Sequence, residues 1–239
     1  MESSKNLPDI KVGGLTRLSS IDFPGHLSAV IFTQGCPWRC GYCHNAPLLD
    51  PHQDAVYQWE EILSFLKGRK GLLDGVVFSG GEPTLWLSLA DCMRQLRQMG
   101  FRVALHTNGA YPERFAQIIR EKLVDWVGMD IKASFDDYER ITAIPGSGIP
   151  VRKSLQILLE SSIPMELRTT LHPLLHSPQD IERLAKELAL RGASHLILQK
   201  CRLKDTLDET IRMKSYNWEP YLKECVSLAS RSIPSVSVR

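Results

Sequence analysis

The chain has 239 residues, of which 43% are hydrophobic and 23% are charged, as in ordinary globular proteins. This length is enough for one α/β domain with a sizeable core. The formal net charge of +2 excludes strong electrostatic attraction to nucleic acid or to a membrane surface, and we expect neither as a partner. Because the sequence starts with polar residues and has no long apolar run, we predict a cytoplasmic protein with reduced cysteines.

Hydrophobic patterning predicts six buried strands that alternate with helices. Residues 1–13 are expected to form a flexible N-terminal tail and residues 14–239 a single domain, in which 15–23 lead in to the first strand and 235–238 form a short edge strand. The six predicted strands span 26–33, 75–79, 102–106, 125–131, 165–171 and 195–199. The intervening and final helices are predicted at 57–70, 85–99, 112–122, 150–161, 177–191 and 216–229. Such alternation favours parallel pairing, and since eight units would close a barrel, the predicted fold is an α/β partial (β/α)6 TIM-like barrel.

Three cysteines occupy a short loop directly after the first predicted strand. Cys36, Cys40 and Cys43 have the spacing C-x3-C-x2-C. Three thiolates are one ligand short of what a four-iron cluster or a tetrahedral zinc ion needs, so the loop indicates an iron–sulfur site with one open position. The competing interpretation is a zinc site with His44 as the fourth ligand. His44 directly follows Cys43, which is an awkward spacing for closing a tetrahedron, and the chain has no second C-x2-C pair.

The next two predicted strands end in residues that suit a small ligand. Gly80 and Gly81 allow a ligand to approach the backbone closely, and Glu82 can accept a hydrogen bond from an amine. The alternative is a simple turn between a strand and a helix. Asn108 could bind a ribose or an adenine, or form a turn with Gly109.

Charged residues follow on the later strands. Asp130 and Lys132 point to the same side of the fourth strand, which predicts a charged pair inside the barrel unless this strand lies at the surface. Arg168 could clamp a carboxylate with two hydrogen bonds, or form an internal ion pair with Glu166 or Asp130. Cys92 and Cys225 lie in apolar helix faces and are predicted to be core residues, whereas the roles of Cys201 and His172 stay open.

The cysteine loop resembles the signature of the radical S-adenosylmethionine (SAM) enzymes, because Tyr42 precedes the last cysteine of C-x3-C-x2-C. Residues 14–25, GLTRLSSIDFPG, together with the Cys43-His44-Asn45 string, resemble the activating proteins of anaerobic ribonucleoside-triphosphate reductase. These proteins are glycyl-radical-enzyme activases. The resemblance extends from Gly14 to about Asp208.

The resemblance implies a function, two cofactors and a set of contacts. Cys36, Cys40 and Cys43 would bind three irons of a [4Fe–4S] cluster whose fourth iron binds SAM, and reductive cleavage would give a 5′-deoxyadenosyl radical that takes a hydrogen atom from a glycine of a partner enzyme. A flavodoxin- or ferredoxin-type protein would donate the electron. The implied SAM contacts are Tyr42, His44, Gly80, Gly81, Glu82, Asn108, Asp130, Lys132, Arg168 and Gln199, with Asp130 and Lys132 also assigned to catalysis.

Two alternatives to this function stay open. Gln199 stands where some activases of pyruvate formate-lyase type have a histidine, which argues against that branch. A radical SAM enzyme acting on another glycyl radical enzyme or on a small molecule is the first alternative. A non-catalytic zinc-binding protein is the second.

Overall fold

Eight strands form one sheet in chain order, in a computed structural model that describes residues 8–204, 206–213 and 216–239. The strands are β1 (Val12–Ser19), β2 (Ser28–Thr33), β3 (Gly75–Gly80), β4 (Arg102–Thr107), β5 (Trp126–Asp130), β6 (Met165–Leu171), β7 (His195–Lys200) and β8 (Ser235–Val238). β1 pairs with β2 in antiparallel fashion, and every later pair is parallel. No pairing joins β1 to β8 in the described residues, so the sheet is an open arc.

Helices lie between the strands along the chain. They are α1 (Trp59–Lys67), α2 (Leu89–Gln98), α3 (Pro112–Arg120), α4 (Tyr138–Thr142), α5 (Gly148–Glu160), α6 (Pro178–Ala189), α7 (Glu209–Met213) and α8 (Trp218–Ala229). Local sequence defines their starts: Pro112 and Pro178 occupy first turns, and Ser177 forms a capping box with Asp180. α3 packs against α5, and α6 packs against α8.

The inner face of the sheet has an apolar lower layer. Val30, Val77, Ala104 and Trp126 are register partners across four neighbouring strands and form one buried cluster. Phe23, from the turn between β1 and β2, packs on this row and closes it, with its ring centroid 6.3 Å from that of Trp126. The carboxyl ends of the strands are therefore the polar end of the barrel interior.

The six predicted parallel strands are confirmed with shifts of one or two residues at their ends. The predicted edge strand at 235–238 is also present, as β8. The N-terminal boundary differs, because β1 begins inside the predicted tail and the side chains of Ile10 and Val12 are buried in the core. Residues 1–7 lie outside the described residues. No helix in the described part of the chain is long and apolar enough to span a bilayer.

The cysteines outside the loop are structural. Cys92 and Cys225 are fully buried in the core, as predicted. Cys201, whose role the sequence leaves open, is also buried there. All six cysteines are unpaired.

Candidate active site

A cavity of about 940 Å³ opens at the carboxyl ends of the strands, where α/β barrels place their chemistry. Every predicted site residue except Glu82 lines it: Cys36, Cys40, Tyr42, Cys43, His44, Gly80, Gly81, Asn108, Asp130, Lys132, Arg168 and Gln199. Further residues that the sequence patterns did not single out also line the cavity, among them Thr170, Lys200, Arg202 and Arg239. Thr170 lies two residues beyond Arg168 on β6, so strand alternation was the available signal. No sequence pattern indicated that Arg239 would line the cavity.

The cysteine loop is anchored by backbone hydrogen bonds from three parts of the chain. Cys36 N–H donates to the carbonyl of Leu49 at 3.1 Å, and Arg39 N–H donates to that of Thr142 at 3.0 Å. From the segment after β7, Leu207 N–H donates to Cys43 O and Asp208 N–H to Gly41 O, both at 2.9 Å. These bonds hold the loop in shape without using any of the three sulfur atoms.

The three sulfur atoms fit an iron–sulfur cluster. Thiolates are the ligands of such clusters, and all three face the same cavity. Burial raises the pKa of Cys36 to about 12 and also raises that of Cys40, so these thiols stay protonated until a metal displaces the proton. No three His, Cys, Asp or Glu side chains in the described residues are grouped closely enough to hold a single ion. A cluster gives each thiolate its own iron and needs no such convergence.

Three charged side chains, from the end of β5, the residues just after it and β6, form a trio that lines the same cavity. Arg168 Nε donates to Asp130 Oδ1 at 3.0 Å, and Lys132 Nζ lies 3.9 Å from Asp130 Oδ2. Burial alone would raise the pKa of Asp130, but Arg168 and Lys132 outweigh it and hold that pKa below its usual value. The trio therefore carries one net positive charge. Of the alternatives for Arg168, the internal ion pair forms with Asp130, while Glu166 pairs with Arg239.

Lys132 connects this trio to the cysteine loop. Its Nζ lies 5.5 Å from the centre of the Tyr42 ring. Burial alone would lower the pKa of Lys132, but its acidic neighbours Tyr42, Cys40 and Asp130 outweigh burial and hold that pKa well above its usual value. At neutral pH the Asp130 carboxylate is the charged neighbour that keeps Lys132 an ammonium. The Tyr42 hydroxyl is buried and has no hydrogen-bond partner among the described residues.

The position of Glu82 differs from the prediction. Its side chain is fully buried, and its carboxylate accepts four hydrogen bonds within the protein. Oε1 accepts from Thr84 N at 3.0 Å, from Thr84 Oγ1 at 2.5 Å and from Thr107 Oγ1 at 2.7 Å, and Oε2 accepts from Asn108 N at 2.7 Å. Glu82 thus ties the end of β3 to the end of β4 and is not among the residues that line the cavity.

The two glycines before Glu82 serve the packing of the chain itself. Gly80 has φ +109°, and a Cβ there would lie 2.5 Å from the backbone nitrogen of Thr33. A Cβ on Gly81 would overlap the carbonyl of Gly35. Both glycines line the cavity, but the group that approaches them closely is the backbone leading into the cysteine loop.

The similarities to known proteins agree with this geometry. A family model described as the Radical SAM superfamily matches residues 30–188. A Methanocaldococcus jannaschii protein, named as a candidate glycyl-radical enzyme activating enzyme, is 33% identical over 236 residues, or 95% of each chain. The pyruvate formate-lyase-activating enzyme of Clostridium pasteurianum is 33% identical over 138 residues, which cover 55% of this chain and 57% of that one.

A solved structure supports the fold. SuiB of Streptococcus suis bound to S-adenosylmethionine matches with a TM-score of 0.68 at 13% identity, over 88% of this chain and 49% of SuiB. By its family model and its full-length relative, the chain belongs to the radical SAM superfamily, within the glycyl-radical-enzyme activating enzymes, and its cofactors are a [4Fe–4S] cluster and S-adenosylmethionine.

Proposed function

We propose that this protein installs a glycyl radical on anaerobic ribonucleoside-triphosphate reductase in the cytoplasm, with a flavodoxin- or ferredoxin-type protein as electron donor. The observation that carries the proposal is one cavity that joins three unpaired cysteines to the charged trio, in a chain similar over 95% of its length to a candidate activating enzyme. When bound, the cluster and SAM supply a one-electron cleavage that yields methionine and a 5′-deoxyadenosyl radical.

Different residues of the site are proposed to bind the cluster and SAM. Cys36, Cys40 and Cys43 lose their thiol protons and hold the cluster. Lys132 and Arg168 outnumber the single carboxylate of Asp130, and their excess positive charge complements the carboxylate of the methionine moiety. Asp130 is therefore foremost a positioning residue, because both of its oxygens face these two cations.

The remaining contacts surround the same space. Tyr42 lines the cavity and is proposed to lie beside adenine. His44, Gly80, Gly81, Asn108 and Gln199 line the cavity and are proposed to contact SAM. Glu82 acts on SAM only through the strand ends that it joins.

Access for a protein substrate is supported by the open sheet. Because β1 and β8 do not pair, a loop from a partner can approach from the side of the arc. A glycine has no side chain, so it suits entry into a narrow cleft. Abstraction of a hydrogen atom needs no general base, and the proposal assigns none.

The identity of the partner rests on the string 14–25, which resembles activating proteins of anaerobic ribonucleotide reductase. The similarity to a pyruvate formate-lyase-activating enzyme favours a second candidate, another glycyl radical enzyme such as pyruvate formate-lyase. Gln199, in place of a histidine, argues against that candidate.

A side-by-side activation assay tests the proposal. The reduced, cluster-loaded protein is incubated with SAM and either anaerobic ribonucleotide reductase or pyruvate formate-lyase, and the glycyl radical doublet is measured by electron paramagnetic resonance. We expect the doublet with the reductase and none with a reductase whose radical glycine is replaced by alanine. A doublet with pyruvate formate-lyase alone supports the second candidate. Cleavage of SAM with no doublet in either mixture refutes both of these partners and leaves a different glycyl radical enzyme or a small molecule as the substrate.

A further inference from the structure

A side-chain amide lies against one of the three cluster ligands. Asn108 Nδ2 is 3.7 Å from Cys36 Sγ, within hydrogen-bonding range for a sulfur acceptor. Asn108 is 6% exposed, so water competes little for this donor. In the described residues no other side chain donates to Cys36 Sγ, and none donates to the sulfur of Cys40 or Cys43.

The orientation of the amide is fixed by its other contacts. Asn108 Oδ1 accepts a hydrogen bond from Ala110 N at 2.9 Å, so the nitrogen must face the opposite way, toward Cys36. The backbone of Asn108 is held in turn, because its N–H donates to Glu82 Oε2 at 2.7 Å. Because both the backbone and the side-chain oxygen of Asn108 are held by hydrogen bonds, its amide hydrogens face the sulfur without any further loss of conformational freedom.

We infer that Asn108 tunes the reduction potential of the cluster by donating an N–H···S hydrogen bond to the thiolate of Cys36. Reduction adds one negative charge to the cluster and its thiolates. A donor aimed at a ligand sulfur stabilises the more negative state, and hydrogen bonds to the sulfurs are one of the factors that set such potentials. Asn108 is thus a positioning and tuning residue for the ligand.

This inference rests on Cys36 being a cluster ligand, but it does not depend on which partner receives the radical. It assigns Asn108 a second role, toward the cluster, in addition to the contact with SAM proposed above. A sugar contact would change the affinity for SAM. A sulfur contact changes the cluster when SAM is absent.

The test is a redox titration of the cluster-loaded protein without SAM, followed by electron paramagnetic resonance of the reduced cluster. Asn108→Ser keeps an oxygen for the Ala110 N–H but is too short to reach Cys36 Sγ. We expect reduction to become about threefold to tenfold less favourable, a shift of roughly 30 to 60 mV toward negative potential for one electron. Asn45→Ser is the matched control, because the Asn45 amide donates to Gly80 O and not to a sulfur, and its potential should equal that of wild type.

A second measurement uses wild-type protein labelled with ¹⁵N-asparagine. Electron–nuclear double resonance of the reduced cluster should detect an asparagine ¹⁵N coupling that persists in Asn45→Ser and disappears in Asn108→Ser. An unchanged potential in an Asn108→Ser protein with normal iron content would overturn the inference. If that variant does not assemble a cluster, absence of the ¹⁵N coupling in wild type overturns it equally. Neither outcome bears on the glycyl radical assay, so the two proposals fail separately.

Discussion

Replacement of Glu82 separates two roles for this carboxylate. If Glu82 bound the amine of SAM, as the sequence suggested, its loss would weaken SAM binding and leave the cofactor-free protein intact. If it joins β3 to β4, as the structure indicates, its loss destabilises the protein before any cofactor binds. The variants are Glu82→Ala, which removes the acceptor, and Glu82→Gln, which keeps its size.

The magnitude follows from the four donors that Glu82 satisfies. In Glu82→Ala, the buried N–H groups of Thr84 and Asn108 lose their acceptor, as do the hydroxyls of Thr84 and Thr107. A buried donor left without a partner costs about 1–3 kcal/mol, so the two backbone groups alone cost roughly 2–6 kcal/mol. Glu82→Gln keeps one oxygen for the threonines but turns an NH2 group toward Asn108 N–H, so we expect a loss of about 1–3 kcal/mol.

The assay is anaerobic urea unfolding of the cofactor-free protein, with the free energy of unfolding extrapolated to zero denaturant. Thr84→Val is a matched control that removes one hydroxyl donor and leaves the carboxylate with its other partners, and it should cost about 1 kcal/mol. A Glu82→Ala protein within about 0.5 kcal/mol of wild type, with reduced affinity for SAM, would refute the assigned structural role and restore the ligand role.

Three further predictions concern the sulfur ligands, the charged trio and a half-buried histidine. Cys40→Ala should lose the cluster and SAM cleavage, measured by iron content and product analysis, whereas Cys92→Ala should keep both; normal cleavage by Cys40→Ala would show the ligand assignment to be wrong. Gly128→Ala should weaken SAM binding several-fold in anaerobic calorimetry, because its Cβ would lie 2.7 Å from Arg168 Cζ and displace the guanidinium; unchanged affinity would exclude Arg168 as a SAM contact. Burial, aided by Arg168, lowers the pKa of His106 to about 4, while the unfolded chain titrates near 6.5. The free energy of unfolding should therefore fall by about 1–2 kcal/mol from pH 7 to pH 5, and His106→Gln should remove that part of the pH dependence.

The sequence predicted the architecture because each parallel strand is a short apolar run bounded by turns. It failed at the N-terminus, where Ile10 and Val12 stand among polar residues and only tertiary packing makes them core. β1 is an edge strand that pairs with β2 in antiparallel fashion. The hydrophobic periodicity of the segment alone does not show which residues of the two strands pair.

The sequence predicted which residues lie around the cavity, but it predicted their hydrogen-bond and ion-pair partners less well. All predicted residues but Glu82 line one cavity, because they follow parallel strands whose carboxyl ends share an edge. For Glu82 the sequence shows an acceptor but not its donors, which come from Thr84 and from Thr107 and Asn108 at the end of β4. For Arg168 the two interpretations were compatible, since it pairs with Asp130 and still faces the cavity.

On the inner face of the sheet, the apolar core and the polar site occupy neighbouring rows of residues. On the inner face, Ala104 and Trp126 are partners in the apolar layer, and two residues further on His106 and Gly128 are partners in the polar one. A slip of one residue in β5 would exchange Asp130 with Met129 and turn the carboxylate toward the outer core. The packing of Trp126 in the apolar layer opposes that slip. The Arg168 guanidinium occupies the space over Gly128 that a side chain at this position would fill. Gly128, which carries no chemistry of its own, is therefore as necessary to the charged trio as the charges are.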